Sequence, residues 1–275
     1  MSSRSLRNLT LLTIVAFALV AFAITESGKD FVKSLPGTMT LLAFVHNSLN
    51  DPISPEDAGD GLAAHEITLI DPAGVAQDSE GNIYVSDRGG LIWRIDSSGI
   101  ARVIAGTGRR GRAHEGQPAV DTDLGVPQSI VFDSRGRLHV ADSLNNLVLR
   151  IEEDGTMKRI AGTGFVGNRG NGGIATEASL DEPYDIRFDS KDNLYIVEFG
   201  NNWIRKVDQQ GIISTAAGIG EPGYGGDGGP ASEALLDGPY GAFVDHEDRL
   251  YIADSGNNVI RMVDNDGSIS TIVGK

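Results

Sequence analysis

From residue 72 onward the chain alternates short apolar runs with polar, glycine-rich turns, and the runs recur in sets of four. Each set opens at a proline: Pro72, Pro127, Pro183 and Pro239, at intervals of 55, 56 and 56 residues. The first run of each set ends in aspartate (PAGVAQD, PQSIVFD, PYDIRFD, PYGAFVD), and the second reads NIYVSD, RLHVAD, NLYIVE or RLYIAD. A turn then leads to LIWRID, LVLRIE, WIRKVD or VIRMVD, and the set closes on IARVIA, TMKRIA, IISTAA or SISTIV. Runs this short, rich in β-branched residues and bounded by Gly, Asn, Asp or Ser, predict strands. Four consecutive strands per unit predict an antiparallel meander, which is one blade of a β-propeller, repeated along the chain.

The connections between units repeat as closely. Twelve residues before each proline stands Asp60, Glu115, Asn171 or Asp227, each followed by glycine. Eight before is Ala64, Ala119, Ala175 or Ala231; six before is Glu66, Asp121, Glu177 or Glu233; three before is Leu69, Leu124, Leu180 or Leu236. That one-turn spacing predicts alanine and leucine packed on the blade with the acid facing water. The register also extends backwards. Residues 37–43 align with a fourth strand and residues 31–34 weakly with a third, with residues 44–58 read as a loop insertion. The expected organisation is a leader or anchor over 1–23, an extension with partial blade strands over 24–58, and the propeller over 59–275. Four full blades and the outer half of a degenerate one leave a ring short of strands. A strained small ring, an arc completed by association and a shortened chain all fit this count, and an open or incomplete ring is the expected outcome. Its uncovered strand edges make self-association an expected property.

Composition sharpens this picture. The 36 glycines suit a chain of many tight turns. Arg4 and Arg7 precede a predominantly apolar run from Leu9 to Ile24, with Ala21-Phe22-Ala23 as a small-x-small cleavage pattern. The run is short for a bilayer span, so it reads as a cleaved signal peptide or a retained anchor, either of which places the rest outside the cytoplasm. There is no cysteine. Without residues 1–23 the chain holds 21 basic against 38 acidic residues, a surface that repels a phosphate backbone and argues against nucleic-acid partners.

The segments GNIYVSD, DNLYIVEFGNNWIRKVD and RLYIADSGNNVIRMVD, with the long connection TAAGIGEPGYGGDGGPASEALLDGP, resemble NHL repeats of the long-loop bacterial kind over residues 59–275. That resemblance implies an all-β propeller in which the first strand of each blade lines a central channel. It also implies a binding role for one face, towards a protein, peptide or carbohydrate. Family members more often have six blades, a number this chain does not reach. Unit one departs in its turn (Asp87-Arg88-Gly89-Gly90) and loop (HEGQPA), and unit three carries Glu198 where the others have aspartate.

Several patterns that suggest chemistry are better read as scaffold. G-x-G-x-x-G occurs three times, at Gly106, Gly162 and Gly218, but once per blade and with no long helix after it, so it is loop geometry and not a nucleotide site. The acids closing each second strand, Asp87, Asp142, Glu198 and Asp254, are expected to cap the following turn. The paired asparagines are expected to supply left-handed backbone. His139 occupies the slot of Tyr84, Tyr195 and Tyr251 and reads as a packing variant. No calcium-loop array, zinc motif, G-x-S-x-G or cysteine nucleophile is present, so no catalytic residue, metal ligand or cofactor is assigned.

Residues that differ at repeating positions are the better candidates, because the scaffold does not require them there. The channel-entry slots after each proline hold Ala73, Gln128, Tyr184 and Tyr240. The candidate ligand-binding set is Tyr184, Tyr240, Gln128 and Asp185 near the channel, with Arg88, Asn146, Asn202 and Asn258 around it. The two tyrosines lead, since each offers a large contact area with one polar tip. The function expected is non-catalytic binding of a protein, peptide or glycan. The alternative is a lactonase- or lyase-type propeller enzyme, which requires acids or histidines converging on the channel mouth.

Overall fold

The computed structural model describes residues 52–274, within the compact unit Pro52–Lys275. The expectations for the leader or anchor and for partial strands over 31–43 lie outside the described residues. Among the described residues, sixteen strands form four separate four-stranded sheets, each in chain order. Blade one holds β1 (Pro72–Gln77), β2 (Ile83–Asp87), β3 (Leu91–Ile95) and β4 (Ala101–Ala105). Blade two holds β5 (Pro127–Phe132), β6 (Leu138–Asp142), β7 (Leu147–Ile151) and β8 (Met157–Ala161). Blade three holds β9 (Pro183–Phe188), β10 (Leu194–Glu198), β11 (Trp203–Val207) and β12 (Ile213–Ala217). Blade four holds β13 (Pro239–Val244), β14 (Leu250–Asp254), β15 (Val259–Val263) and β16 (Ile269–Val273). All four prolines open inner strands, and three of them (Pro72, Pro127 and Pro239) pair directly with the aspartate that ends the second strand.

The alternation along each strand places apolar residues on both sheet faces, and successive blades bury those faces against one another. Between blades two and three, Ala141, Val148 and Ala161 meet Ile186, Leu194, Ile196 and Ile213. Ala175, Ala178 and Leu180 of the connecting loop fill the space between them. Those loop residues sit at the predicted one-turn spacing: Ala119–Asp121, Ala175–Glu177 and Ala231–Glu233 are single 3₁₀ turns with their alanines buried. The loop insertion expected through residue 58 contains a one-turn helix, α1 (Pro55–Ala58). Ser54 caps it, and Ala58 packs with Trp93 and Leu91 of blade one. Proline at the first helical position and a serine oxygen on the Asp57 N–H are sufficient local causes for the turn.

The inner strands β1, β5, β9 and β13 pack in that order. Among the described residues the ring they begin is open. Val75 on β1 is 69% exposed, and Phe243 and Val273 at the other end are 60% and 58% exposed. Tyr195, Val197, Ile204 and Ala217 of blade three, at equivalent positions to blade four's uncovered face, are buried by blade four.

Candidate functional site

The antiparallel order within a blade brings the start of the first strand, the end of the second and the start of the third to one end of the sheet. The inter-blade loops gather at that same end. Here the structure brings together four of the eight predicted residues, one from each blade. Arg88 donates from Nε to Oε1 of Gln128 at 2.7 Å, from Nη1 to Asp71 at 3.2 Å and from Nη2 to the Tyr240 hydroxyl at 3.5 Å. Tyr184 meets Tyr240 edge-on, with ring centroids 5.0 Å apart, and its hydroxyl also interacts with Gln128. Gln128 is buried while Tyr240 is 49% exposed, so a polar floor carries an open aromatic rim. Burial opposes the charge on Arg88, but Asp71 and the Tyr240 hydroxyl outweigh it and hold the guanidinium above its ordinary value. Burial likewise pushes the Tyr184 phenol up, with Arg88 and the Gln128 hydrogen bond acting against that rise.

A fifth member was missed. Phe199 stacks on Tyr184 at 4.9 Å with 28° between the rings and stands at 6.3 Å from Tyr240. Its signal was in the repeat: the residue after the closing acid is Ser143 in blade two and Ser255 in blade four, and only blade three puts an aromatic there.

The other four predicted residues lie elsewhere. Asp185 is buried between inner strands, where it accepts from Ser129 Oγ at 2.6 Å, from the Ala242 N–H at 2.9 Å and from Arg187 at 2.7 Å. It ties blades two, three and four rather than facing the mouth, because its side chain alternates to the sheet face opposite Tyr184. Asn146 accepts the Glu182 N–H at 2.9 Å and Asn202 accepts the Gly238 N–H at 2.7 Å, so each links its blade to the entry of the next. Asn258 occupies the same turn position on blade four and is exposed. All three asparagines are left-handed, with φ of 54°, 53° and 56°.

Among the described residues the expected cap on the backbone of the following turn is made by Asp87, which accepts the Gly89 N–H, but not by Asp142, Glu198 or Asp254; the role the four acids share is a different one. Asp87, Asp142, Glu198 and Asp254 are fully buried. Their oxygens reach back to the segment before each proline: Asp142 takes the Gly125 and Val126 N–H groups, Glu198 takes Asp181 and Asp254 takes Asp237. The first asparagine of each pair completes the staple. Asn145, Asn201 and Asn257 donate both to the acid and to a carbonyl of the preceding loop, at Gly111, Gly167 and Gly223. The loop runs over the strand end without a ladder partner, so its N–H and C=O groups need side-chain partners when buried. Glu198 has the longer side chain and also meets Arg205 at 3.3 Å, both fully buried. Burial pushes the Glu198 carboxyl up to about 7, with Arg205 and Asn201 acting against that rise.

The G-x-G loops are scaffold for a visible reason. Gly106 and Gly162 have φ of 92° and 91°, and a Cβ on either would run into the carbonyl oxygen of Gly90 or Asn146. His139 is buried edge-on against Phe188 at 4.8 Å, matching Tyr84 against Phe132 at 4.9 Å, and burial pulls its imidazole down to about 4. The loop acids Asp60 and Asp227 hold the Val103 N–H and Arg261 respectively.

Four-stranded meanders stacked face to face about a row of inner strands, with a loop-borne mouth, define an open β-propeller of NHL repeats. The sequence profile described as Teneurin NHL domain matches residues 45–165 and 219–275, and the chain belongs to that family. Teneurin-4 of Homo sapiens is 29% identical over an alignment covering 88% of this chain and 10% of that protein. Teneurin-3 of Danio rerio is 31% identical, covering 87% of this chain and 10% of that protein. The chain thus spans about a tenth of the length of these relatives. Among solved structures, an auxiliary nutrient binding protein from Bacteroides thetaiotaomicron matches with a TM-score of 0.54 at 20% identity, covering 72% of this chain and 47% of that one. Virginiamycin B lyase from Staphylococcus aureus matches at 0.50 and 15%, covering 81% of this chain and 58% of that one. Likeness at that identity speaks to the fold alone.

Proposed function

We propose that this chain is a non-catalytic binding module that works outside the cytoplasm and recognises a protein, peptide or glycan segment through its loop face. The observation that carries this reading is the mouth itself. Every blade contributes to it: Arg88 from blade one, Gln128 from blade two, Tyr184 and Phe199 from blade three and Tyr240 from blade four form one patch of aromatic surface around a guanidinium. Aromatic rings beside arginine are the side chains that concentrate binding energy at recognition surfaces. An exposed ring such as Tyr240 also suits the apolar face of a sugar or a peptide side chain. The enzyme alternative asks for three metal-capable or acid–base groups converging there. The mouth instead presents phenols, a phenyl ring, an amide and a guanidinium, with one carboxylate, Asp71, paired to that guanidinium. Among the described residues no group of three or more His, Asp or Glu stands close enough to share a metal ion.

The basic-then-apolar opening of the chain supports a place outside the cytoplasm, through cleavage or through anchoring by residues 9–24. Among the described residues no helix is long and apolar enough to cross a membrane. Cell fractionation of the tagged full chain tests this, and recovery of intact protein in the cytosol overturns it. For recognition, peptide and glycan arrays probed with the full chain should yield ligands whose binding falls at least tenfold in Tyr184→Ala and Tyr240→Ala. Array ligands that bind both variants as they bind the parent would overturn the assignment of the site.

A further inference from the structure

The end of the blades opposite the mouth carries a feature the loop face does not explain. There the β5–β6 turn and strands β7 and β8 of blade two meet the β11–β12 turn of blade three around a groove of about 490 Å³. Five cationic side chains line it: Arg135, Arg137, Arg150, Lys158 and Arg159. The acids lining it are three, Asp133, Asp192 and Asp208, in a protein whose formal charge is −15.

Two comparisons within the molecule set this groove apart. The corresponding groove between blades one and two is lined by Arg94 and Arg135 against Asp78, Glu80 and Asp133. The one between blades three and four has Lys191 and Lys206 against Asp189, Asp248 and Asp264. Only the middle groove of these three has cations in excess. The repeat gives the second comparison. At the five positions that are all cationic in blade two, blade one has Glu80, Asn82, Arg94, Arg102 and Val103, so only two are cationic. Blade three has cations only at Lys191 and Lys206, and blade four only at Arg249. The blade fold therefore does not require this set.

The acids in the groove are already committed. Asp133 pairs with Arg137 at 2.6 Å, Asp192 takes the N–H and hydroxyl of Ser134, and Asp208 takes the Gln210 and Ile212 N–H groups of its own turn. Arg150 pairs with Glu152, which lies outside the groove. Arg159 reaches Glu115 at 3.8 Å and donates to the Gly162 carbonyl at 3.4 Å, both long contacts. Arg135 and Lys158 are exposed and, among the described residues, make no side-chain hydrogen bond or ion pair. Two uncommitted cations and a third weakly held one thus face a concavity whose walls also offer Thr176, Gln209 and Gln210 as hydrogen-bonding groups.

We infer that the groove between blades two and three binds a small polyanion, a molecule with two or more carboxylate, sulfate or phosphate groups. Its volume lies within the range of about 300–1,000 Å³ that small-ligand sites occupy. A long polyanion is disfavoured, because beyond the groove it meets the acidic remainder of the surface within a Debye length of about 8–10 Å. Multidentate guanidinium contacts to oxoanions supply the affinity, and the spread of cations across two turns and two strands selects for more than one anionic group.

Isothermal titration of the full chain at low salt with citrate, inorganic pyrophosphate and a disulfated disaccharide, with acetate as the single-charge control, tests this. At least one of the three should bind saturably at one site while acetate does not, and the one that binds identifies whether carboxylate, phosphate or sulfate is the natural group. The pair Arg135→Gln/Lys158→Gln should weaken it tenfold or more with an unchanged melting temperature. Lys191→Gln, in the neighbouring groove, should leave it unaltered. Absence of saturable binding by all three anions overturns the inference, and so does an equal loss in the Lys191 variant.

Discussion

Glu198 is the position where the structure makes its sharpest quantitative demand. Its carboxyl is fully buried, faces Arg205 at 3.3 Å, and is pushed by that burial up to about 7 from an unfolded value near 4.5. A carboxyl whose folded value lies above its unfolded one contributes its full stability below pH 4.5, where both states are protonated. That contribution is lost as the pH rises through 7. Between pH 5.5 and 8.5 the loss amounts to about 2 kcal/mol, from about 1.36 kcal/mol per unit of difference between the states. Glu198→Gln removes this titration but keeps a carbonyl oxygen for the Asp181 N–H and the Asn201 amide. The variant also leaves Arg205 without its carboxylate at every pH, a constant offset of either sign. The informative quantity is therefore the change in the difference between parent and variant, measured by urea unfolding at the two pH values. The variant should gain about 2 kcal/mol on the parent at the higher pH. A difference that stays constant from pH 5.5 to 8.5 would mean that Arg205 keeps the carboxylate ionised throughout, and the reasoning from burial fails.

Two further outcomes follow from the scaffold. Gly162→Ala should destabilise by several kcal/mol, since the new methyl meets the Asn146 carbonyl at a φ of 91°. Gly155→Ala, at a φ of 80° with open space around it, should cost only about 1 kcal/mol; equal losses in thermal unfolding would remove the close-approach explanation of the G-x-G loops. Asn202→Gly keeps the left-handed turn but deletes the acceptor for the Gly238 N–H, and should cost about 1–2 kcal/mol. An unchanged melting temperature would show that the inter-blade link adds nothing to stability.

Much of this architecture was legible in the chain because a repeat is a local signal read several times. A single run such as NLYIVE is compatible with several environments, but four copies in one register are not. The alanine and leucine of each connecting loop were readable for the same reason: Ala175 and Leu180 are buried as their spacing required. The reading of the closing acids stopped short, since a carboxylate that binds an N–H seventeen residues earlier leaves no local mark distinguishing it from a turn cap. Phe199 had a signal that went unused. Asp185, Asn146 and Asn202 were picked for variation or position near the mouth, and each turned out to hold one blade to another.

The sequence alone determined the four-stranded unit, its period, the loops that pack between units and the end of the blade that carries those loops, because all of these rest on spacing within about fifty residues. Only the tertiary structure decided which side chains meet. Arg88 and Tyr240 are 152 residues apart and touch because the arc of blades brings them to one mouth. The cations of blade two become a groove only because blade three supplies the opposite wall. Spacing along a strand dictates the face on which a residue lies, whereas the neighbour across that face is set by how whole sheets stack.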